Sequence, residues 1–257
     1  MRQIFPGPAD LSDGDLAARY AYPDQAGAGA HWLRANMVTS LDGAATMAGR
    51  SGGLSGEADR QVFAMLRALT DVILVGAGTV RVEGYGPVRP SQEGVRWAWL
   101  REGRPPSPPI AVVTRSLGLD PASPLLTAAP GHARTIVITT EAAPPARREA
   151  VASVADVIVA GRESVDLPAA VAALAGRGLR RMLTEGGPHL LAQLMAAGLV
   201  DELCLTLSPL LSGPGPGRIV QSSGPPAQPG GAGGPLTLAH VLADDGYLLC
   251  RYLRPAG

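Results

Sequence analysis

The chain of 257 residues has no lysine, one asparagine (Asn36), two cysteines and four histidines. The missing lysine rules out Schiff-base chemistry at an ε-amino group. It also leaves every charged contact with an anion to the 22 arginines, with their planar donor fork, or to a protonated histidine. Cys204 and Cys250 stand far apart in apolar runs and form no C-x-x-C pair, so both read as small buried hydrophobes and no metal site is expected. No P-loop, metal-ligand spacing or Ser-His-Asp order can be assembled, which leaves a bound cofactor as the source of reactivity. The 22 acidic residues balance the basic ones, so no net field draws nucleic acid or anionic lipid. No run of about 18 apolar residues occurs, and Met1–Asp10 lacks a basic region followed by an apolar one. The expectations are a small-molecule partner, no nucleic acid, no membrane and a cytoplasmic location.

What is present is core material: 46% of residues are hydrophobic and 17% charged. Residues 1–30 read as an extension with one short helical stretch, Asp13–Tyr20, packed on a domain that spans 31–257. From Trp32, short β-rich runs alternate with Ala/Leu-rich stretches, the pattern of an α/β fold with a mostly parallel central sheet. Strands are expected at Trp32–Thr39, Val72–Val75, Ile110–Thr114, Thr135–Thr139, Val157–Val159, Arg181–Thr184 and Glu202–Leu207. Helices are expected at Gly56–Leu69, Leu167–Ala175 and His189–Ala197. Leu236–Leu242 and Tyr247–Leu253 flank the turn signal Ala243-Asp-Asp-Gly246, which predicts a terminal antiparallel hairpin. Two long loops remain, Gly84–Pro109, with Trp97 and Trp99 inside it, and the Gly/Pro-dominated Ser212–Pro235.

Four strand ends carry candidate chemistry. Asn36–Gly43 leaves Asp42 at a strand mouth beside a glycine, either facing a ligand or capping its own turn. Val72–Thr79 empties a buried run into Gly76-Ala-Gly78-Thr79, where backbone N–H groups can approach a phosphate; Arg81 stands where a dinucleotide fingerprint has Gly or Ala. Leu183–Leu190 delivers Thr184 and Glu185, then Gly186-Gly187-Pro188 and a helix start, which aims free N–H groups and the positive helix end at one point. Ala111–Ser116 ends in Thr114, Arg115 and Ser116, a trio suited to a phosphomonoester. Arg67, Arg81, Arg89 and His189 stay open between ligand contacts and ordinary solvated side chains.

In this order, S-L-D-G at Ser40–Gly43, D-V-I-L-V-G-A-G-T-V at Asp71–Val80 and T-E-G-G-P at Thr184–Pro188 resemble the reductase domain of the bifunctional riboflavin-biosynthesis deaminase/reductase, above all its stand-alone actinobacterial members. The resemblance covers about residues 32–253. It implies a three-layer αβα, dihydrofolate reductase-like fold with a C-terminal antiparallel hairpin, and a homodimer whose candidate surfaces are Leu203–Leu207 and that hairpin. It also implies NADPH-dependent reduction of 5-amino-6-(5-phosphoribosylamino)uracil, with hydride going to C1′ of the ring-opened ribose imine.

By the same resemblance, Val38, Gly76, Gly78, Thr79, Glu83, Gly186, Gly187 and Pro188 meet the cofactor, and Thr114, Arg115 and Ser116 its adenosine phosphate. Ser51, Arg67, Arg89 and Glu185 hold substrate, while Asp42 and Glu185 act in catalysis. The chain departs from the family at Ser51-Gly-Gly53, at Glu83 and in the loop Gly84–Pro90, so the cofactor half is better matched than the substrate half. A pterin such as dihydrofolate is therefore the alternative substrate, and a nucleotide-binding protein without turnover a third reading. H-x-E and P-C-x-x-C are absent, so base deamination is not expected.

Overall fold

The computed structural model describes residues 1–23, 30–89, 95–222 and 234–255. Parts of both expected long loops, 90–94 and 223–233, lie outside the described residues. Among the described residues, eleven strands form one sheet. In chain order they are β1 (Arg2–Phe5), β2 (Ala9–Asp10), β3 (Trp32–Thr39), β4 (Val72–Gly76), β5 (Ile110–Val113), β6 (Ile136–Thr139), β7 (Asp156–Val159), β8 (Arg181–Thr184), β9 (Glu202–Leu207), β10 (Thr237–Asp244) and β11 (Tyr247–Leu253). They stand side by side as β2-β1-β10-β11-β9-β3-β8-β4-β5-β6-β7. From β9 to β7 neighbours are parallel, and from β9 outward through β11, β10, β1 and β2 they are antiparallel.

Parallel strands are buried on both faces, which is why β4 is a continuous apolar run. Ile73 and Val75 point into one core, with α1 (Asp13–Arg19), α2 (Glu57–Leu69) and α3 (Ala77–Glu83); Val72 and Leu74 point into the other, with α6 (Leu167–Gly176) and α7 (Pro188–Ala196). The result is the expected three-layer αβα arrangement. Helix α3 was not foreseen, nor were α4 (Pro124–Thr127) and α5 (Pro145–Ala152), which are short and open on proline. The hairpin turn is tighter than expected, because β10 runs on to Asp244 and only Asp245 and Gly246, both at positive φ, connect it to β11. Residues 1–10 do more than pack on the domain. They extend the sheet, β1 pairing with β10.

Helix α2 forms one wall of the site, and its ends are well held. Glu57 and Asp59 occupy the first turn, at the positive end of the dipole. At the other end, Arg101 and Arg104 donate to the carbonyls of Ala68, Leu69 and Thr70 at 2.8–3.2 Å. The loop 84–109 thus carries structure: a 3-10 turn over Ala98–Arg101 and a fully buried Trp97.

Where the parallel and antiparallel halves meet, β3 and β9 place Arg34 opposite Glu202, and both side chains are fully buried. Glu202 takes Arg34 Nε at 2.7 Å and Nη2 at 3.1 Å, Arg251 Nε at 2.7 Å and Nη2 at 3.1 Å, and Trp32 Nε1 at 2.9 Å. Arg34 also donates to Tyr20 O at 2.7 Å and lies 4.2 Å from the Tyr22 ring, tying the N-terminal segment to the sheet. Burial alone would raise the Glu202 pKa; the two guanidiniums outweigh it and hold the carboxyl at about 2.

Candidate active site

Strands β3, β8, β4 and β5 are parallel neighbours, so the segments that follow them gather along one edge of the sheet, where α/β folds hold ligands. The three glycine-marked strand ends therefore do share an edge. Beside it lies a cavity of about 700 Å³ between β3, α2 and the loop that follows α3.

Glu185, the residue after β8, is buried and lines this cavity. Arg67, near the end of α2, grips it bidentately, Nε to Oε1 and Nη2 to Oε2, each at 2.7 Å. Tyr85 Oη donates to Glu185 Oε2 at 2.6 Å, and the Phe63 ring lies 4.2 Å from the Arg67 guanidinium. Burial opposes the Arg67 charge, but Glu185 and Tyr85 more than offset it, so its pKa is raised. Burial and then Glu185 push the Tyr85 hydroxyl well above its ordinary value, which keeps its proton on and makes it a donor.

Immediately after Glu185 the chain turns at Gly186, φ +81°, and α7 begins with Gly187 as its cap and Pro188 as its first residue. Gly76 N donates to Gly186 O at 2.8 Å, locking the turn after β4 to the turn after β8. A β-carbon at Gly187 would lie 2.3 Å from Thr79 Oγ1, and one at Gly78 would meet nothing within 4 Å. Only glycine fits at the first position, and the second leaves backbone open to an approaching group.

The other expected residues are placed as follows. Val38, Ser51 and Arg89 line the cavity. Glu83 does not; its Oε1 accepts from Ser51 N at 2.9 Å, so it fixes the 51–53 turn. Beyond β5, Thr114 is buried, whereas Arg115 and Ser116 are exposed on a loop that also receives Arg81, Nη1 to Gly118 O at 2.8 Å, and Arg147, Nη1 to Ser116 O at 3.4 Å.

Asp42 departs from expectation. It is exposed and absent from the cavity lining; Ser40 Oγ donates to its Oδ1, and Ser212 N and Gly213 N donate to Oδ1 and Oδ2 at 3.1 and 2.8 Å. Its contacts are those of the turn-capping reading, extended to clasp a distant loop. Those donors, Ser40 first, hold its carboxyl at about 2. A depressed carboxyl stabilises its contacts above its ordinary pKa and loses them as pH falls towards 2, so the clasp should persist throughout neutral pH. Asp42→Asn should speed amide hydrogen exchange at Ser212 and Gly213, and unchanged exchange there would show that the carboxylate does not hold the loop.

Tyr85, Phe63, Asp59 and Arg147 were missed by the motifs. The first three line the cavity with Arg67, and Asp59, Phe63 and Arg67 share one face of α2 at four-residue spacing, a signal legible once Arg67 is placed.

A family model described as the RibD C-terminal domain matches residues 31–248. A 2,5-diamino-6-ribosylamino-4(3H)-pyrimidinone 5′-phosphate reductase of Archaeoglobus fulgidus is 33% identical over 179 residues, 69% of this chain and 80% of that protein. The crystal structure of a pyrimidine reductase-like protein from Corynebacterium diphtheriae superposes with a TM-score of 0.74 at 29% identity, covering 87% of this chain and 91% of that one. A riboflavin biosynthesis reductase of Saccharomyces cerevisiae shares the fold at 16% identity and a TM-score of 0.61, covering 90% and 92%. A match that runs nearly the length of the chain, together with a relative aligned over most of its own length, settles the kinship: the chain belongs to the RibD C-terminal domain family.

Proposed function

We propose that the chain is an NADPH-dependent reductase of the riboflavin pathway that acts on a ribosylaminopyrimidine 5′-phosphate and receives hydride at C1′ of the substrate's ring-opened imine. The observation that carries this reading is the Arg67–Glu185–Tyr85 cluster in the cavity wall, one residue ahead of the Gly186–Gly187 turn. The name of the Archaeoglobus fulgidus relative supports the substrate class.

The residues present fit the cofactor. The space a β-carbon would fill at Gly187 is taken by Thr79, so the first turns of α3 and α7 come close together with backbone N–H groups free for a pyrophosphate. Arg115 and Ser116, joined by Arg81 and Arg147, offer forked donors and a hydroxyl to a 2′-phosphate, and Val38 offers an apolar surface beside the cavity. When bound, NADPH supplies the hydride.

The chain's own groups bind and orient. Glu185, kept in one position by Arg67 and Tyr85, accepts hydrogen bonds from the substrate's imine N–H or ribityl hydroxyls. Tyr85 retains its proton and serves to hold Glu185. Arg89 and Arg60, exposed at the cavity rim, meet the 5′-phosphate, with Ser51 nearby. Asp42 enters as a positioning residue through its loop. A cytoplasmic homodimer belongs to the same proposal.

NADPH consumption with each candidate substrate tests the reading. Turnover of a ribosylaminopyrimidine phosphate, with a product two hydrogens heavier, is expected, as is a preference for NADPH over NADH that Arg115→Ala erodes. Turnover of dihydrofolate alone would replace the substrate, and equal affinity for both nucleotides would remove the role given to Arg115 and Ser116.

A further inference from the structure

Glu185 already takes three donors from the protein, and a second carboxylate stands in the cavity wall. Asp59, the third residue of α2, is 7% exposed and lines the cavity. Its Oδ2 accepts from Ser55 Oγ; among the described residues nothing else hydrogen-bonds to it and no arginine forms an ion pair with it. Among the described residues nothing donates to Oδ1, which leaves that edge of the carboxylate open to a ligand in the cavity. One turn along the same face stands Phe63, and one turn further Arg67 with Glu185. An open carboxylate edge, an aromatic ring and a closed ion pair thus succeed one another along the wall.

We propose that Asp59 is the residue that selects the pyrimidine ring, its open edge accepting the two parallel N–H donors of a 2-amino-4-oxopyrimidine, the exocyclic amine and N3–H. A fork of two acceptors matches a fork of two donors. A uracil ring carries an oxygen at position 2, so it would set acceptor against acceptor in a buried place and leave the amine's share of the carboxylate unpaired. Sites built to hydrogen-bond a substrate N–H reject analogues lacking it by factors of up to about 10⁴–10⁵. This narrows the proposed substrate to the 2-amino counterpart of the uracil compound and, for turnover, rests on the reductase reading above. Pterins carry the same edge, so the selected chemistry is the 2-amino-4-oxopyrimidine itself.

Two measurements on the full chain separate this inference from the reductase reading. Ligand-observed NMR titration with isocytosine, which has the 2-amino-4-oxo edge, and with uracil needs no turnover: isocytosine should bind roughly tenfold tighter or better, and Asp59→Asn should erase the difference. In steady state, kcat/KM for 2,5-diamino-6-ribosylamino-4(3H)-pyrimidinone 5′-phosphate should exceed that for 5-amino-6-(5-phosphoribosylamino)uracil by about 10²-fold or more in the native chain. Asp59→Asn should narrow that ratio by at least about tenfold. Equal use of both rings by the native chain, or a ratio and a titration that Asp59→Asn leaves unmoved, would overturn the assignment. Turnover of dihydrofolate but of neither ribosyl compound would uphold Asp59 and name a pterin as the source of the edge. Turnover of none of them would sink the reductase reading, and the isocytosine titration would still decide Asp59.

Discussion

Glu202→Ala should lower the stability of the fold by about 3–5 kcal/mol, the cost of stranding a buried charge by removing its partner. For a chain of this size, that corresponds to a fall in melting temperature of about 6–20 °C. Glu202 is the only carboxylate paired with Arg34 among the described residues, and Arg34 is fully buried, so its guanidinium has no path to water. Arg251 is better placed, at 14% side-chain exposure, and its Nη1 also donates to Arg19 O. Arg251→Met should therefore cost clearly less, since Glu202 keeps Arg34 and Trp32. Equal losses for the two variants, or an unchanged melting temperature for Glu202→Ala, would mean that this network contributes little. The pH dependence has a defined sign. A carboxyl held at about 2 against an ordinary value of 4.5 stabilises the fold at neutral pH, and that contribution drains away as pH falls from about 4.5 towards 2. The alanine variant should lack this part of the acid profile.

Gly187→Ala should reduce kcat/KM about 10²-fold or more. The added methyl would stand 2.3 Å from Thr79 Oγ1, so α3 and α7 must part or the Thr79 side chain must swing away. A misplacement of about 1 Å in a positioning element costs on the order of 10²-fold. Because Gly187 φ is −67°, a conformation any residue adopts, the penalty is one of space and not of backbone freedom. The double variant Thr79→Ala, Gly187→Ala makes the argument testable. It should recover to the level of Thr79→Ala alone if the clash is the cause. An active Gly187→Ala enzyme with unaltered NADPH affinity would show that the contact between these helices does not shape the cofactor site.

The parallel half of the fold was legible because short β-rich runs alternate with Ala/Leu-rich stretches, β4 being an unbroken apolar run that ends in glycine; β3, β8 and β9 fall at their expected bounds. The N-terminal strands were not. Arg2–Phe5 has mixed polarity, and its partner in β10 is some 240 positions away, so nothing local marks the pairing. The charged network was equally hidden. Arg34 and Glu202 are 168 residues apart, and a charge in a strand pattern reads as solvent-facing until a neighbouring strand supplies the opposite sign. In the site, T-E-G-G-P foretold Glu185 because the glycines announce the turn. Asp59 gave no such notice, since an acid in the first turn of a helix has an ordinary electrostatic reason to be there. The loop contacts of Asp42 were hidden for another reason: a strand-mouth acid beside glycine looks the same whether it faces a ligand or clasps a loop.

Sheet order also bears on solubility. The margin formed by β1 and the two-residue β2 stands outside β10, which is eight residues long. A long unpaired strand is a template for other chains to add to. Clipping the first ten residues would bare one rim of β10 and invite intermolecular sheet growth, although the cavity and its arginines would be untouched. The N-terminal ribbon therefore occupies a rim of β10 that would otherwise be open to strand addition.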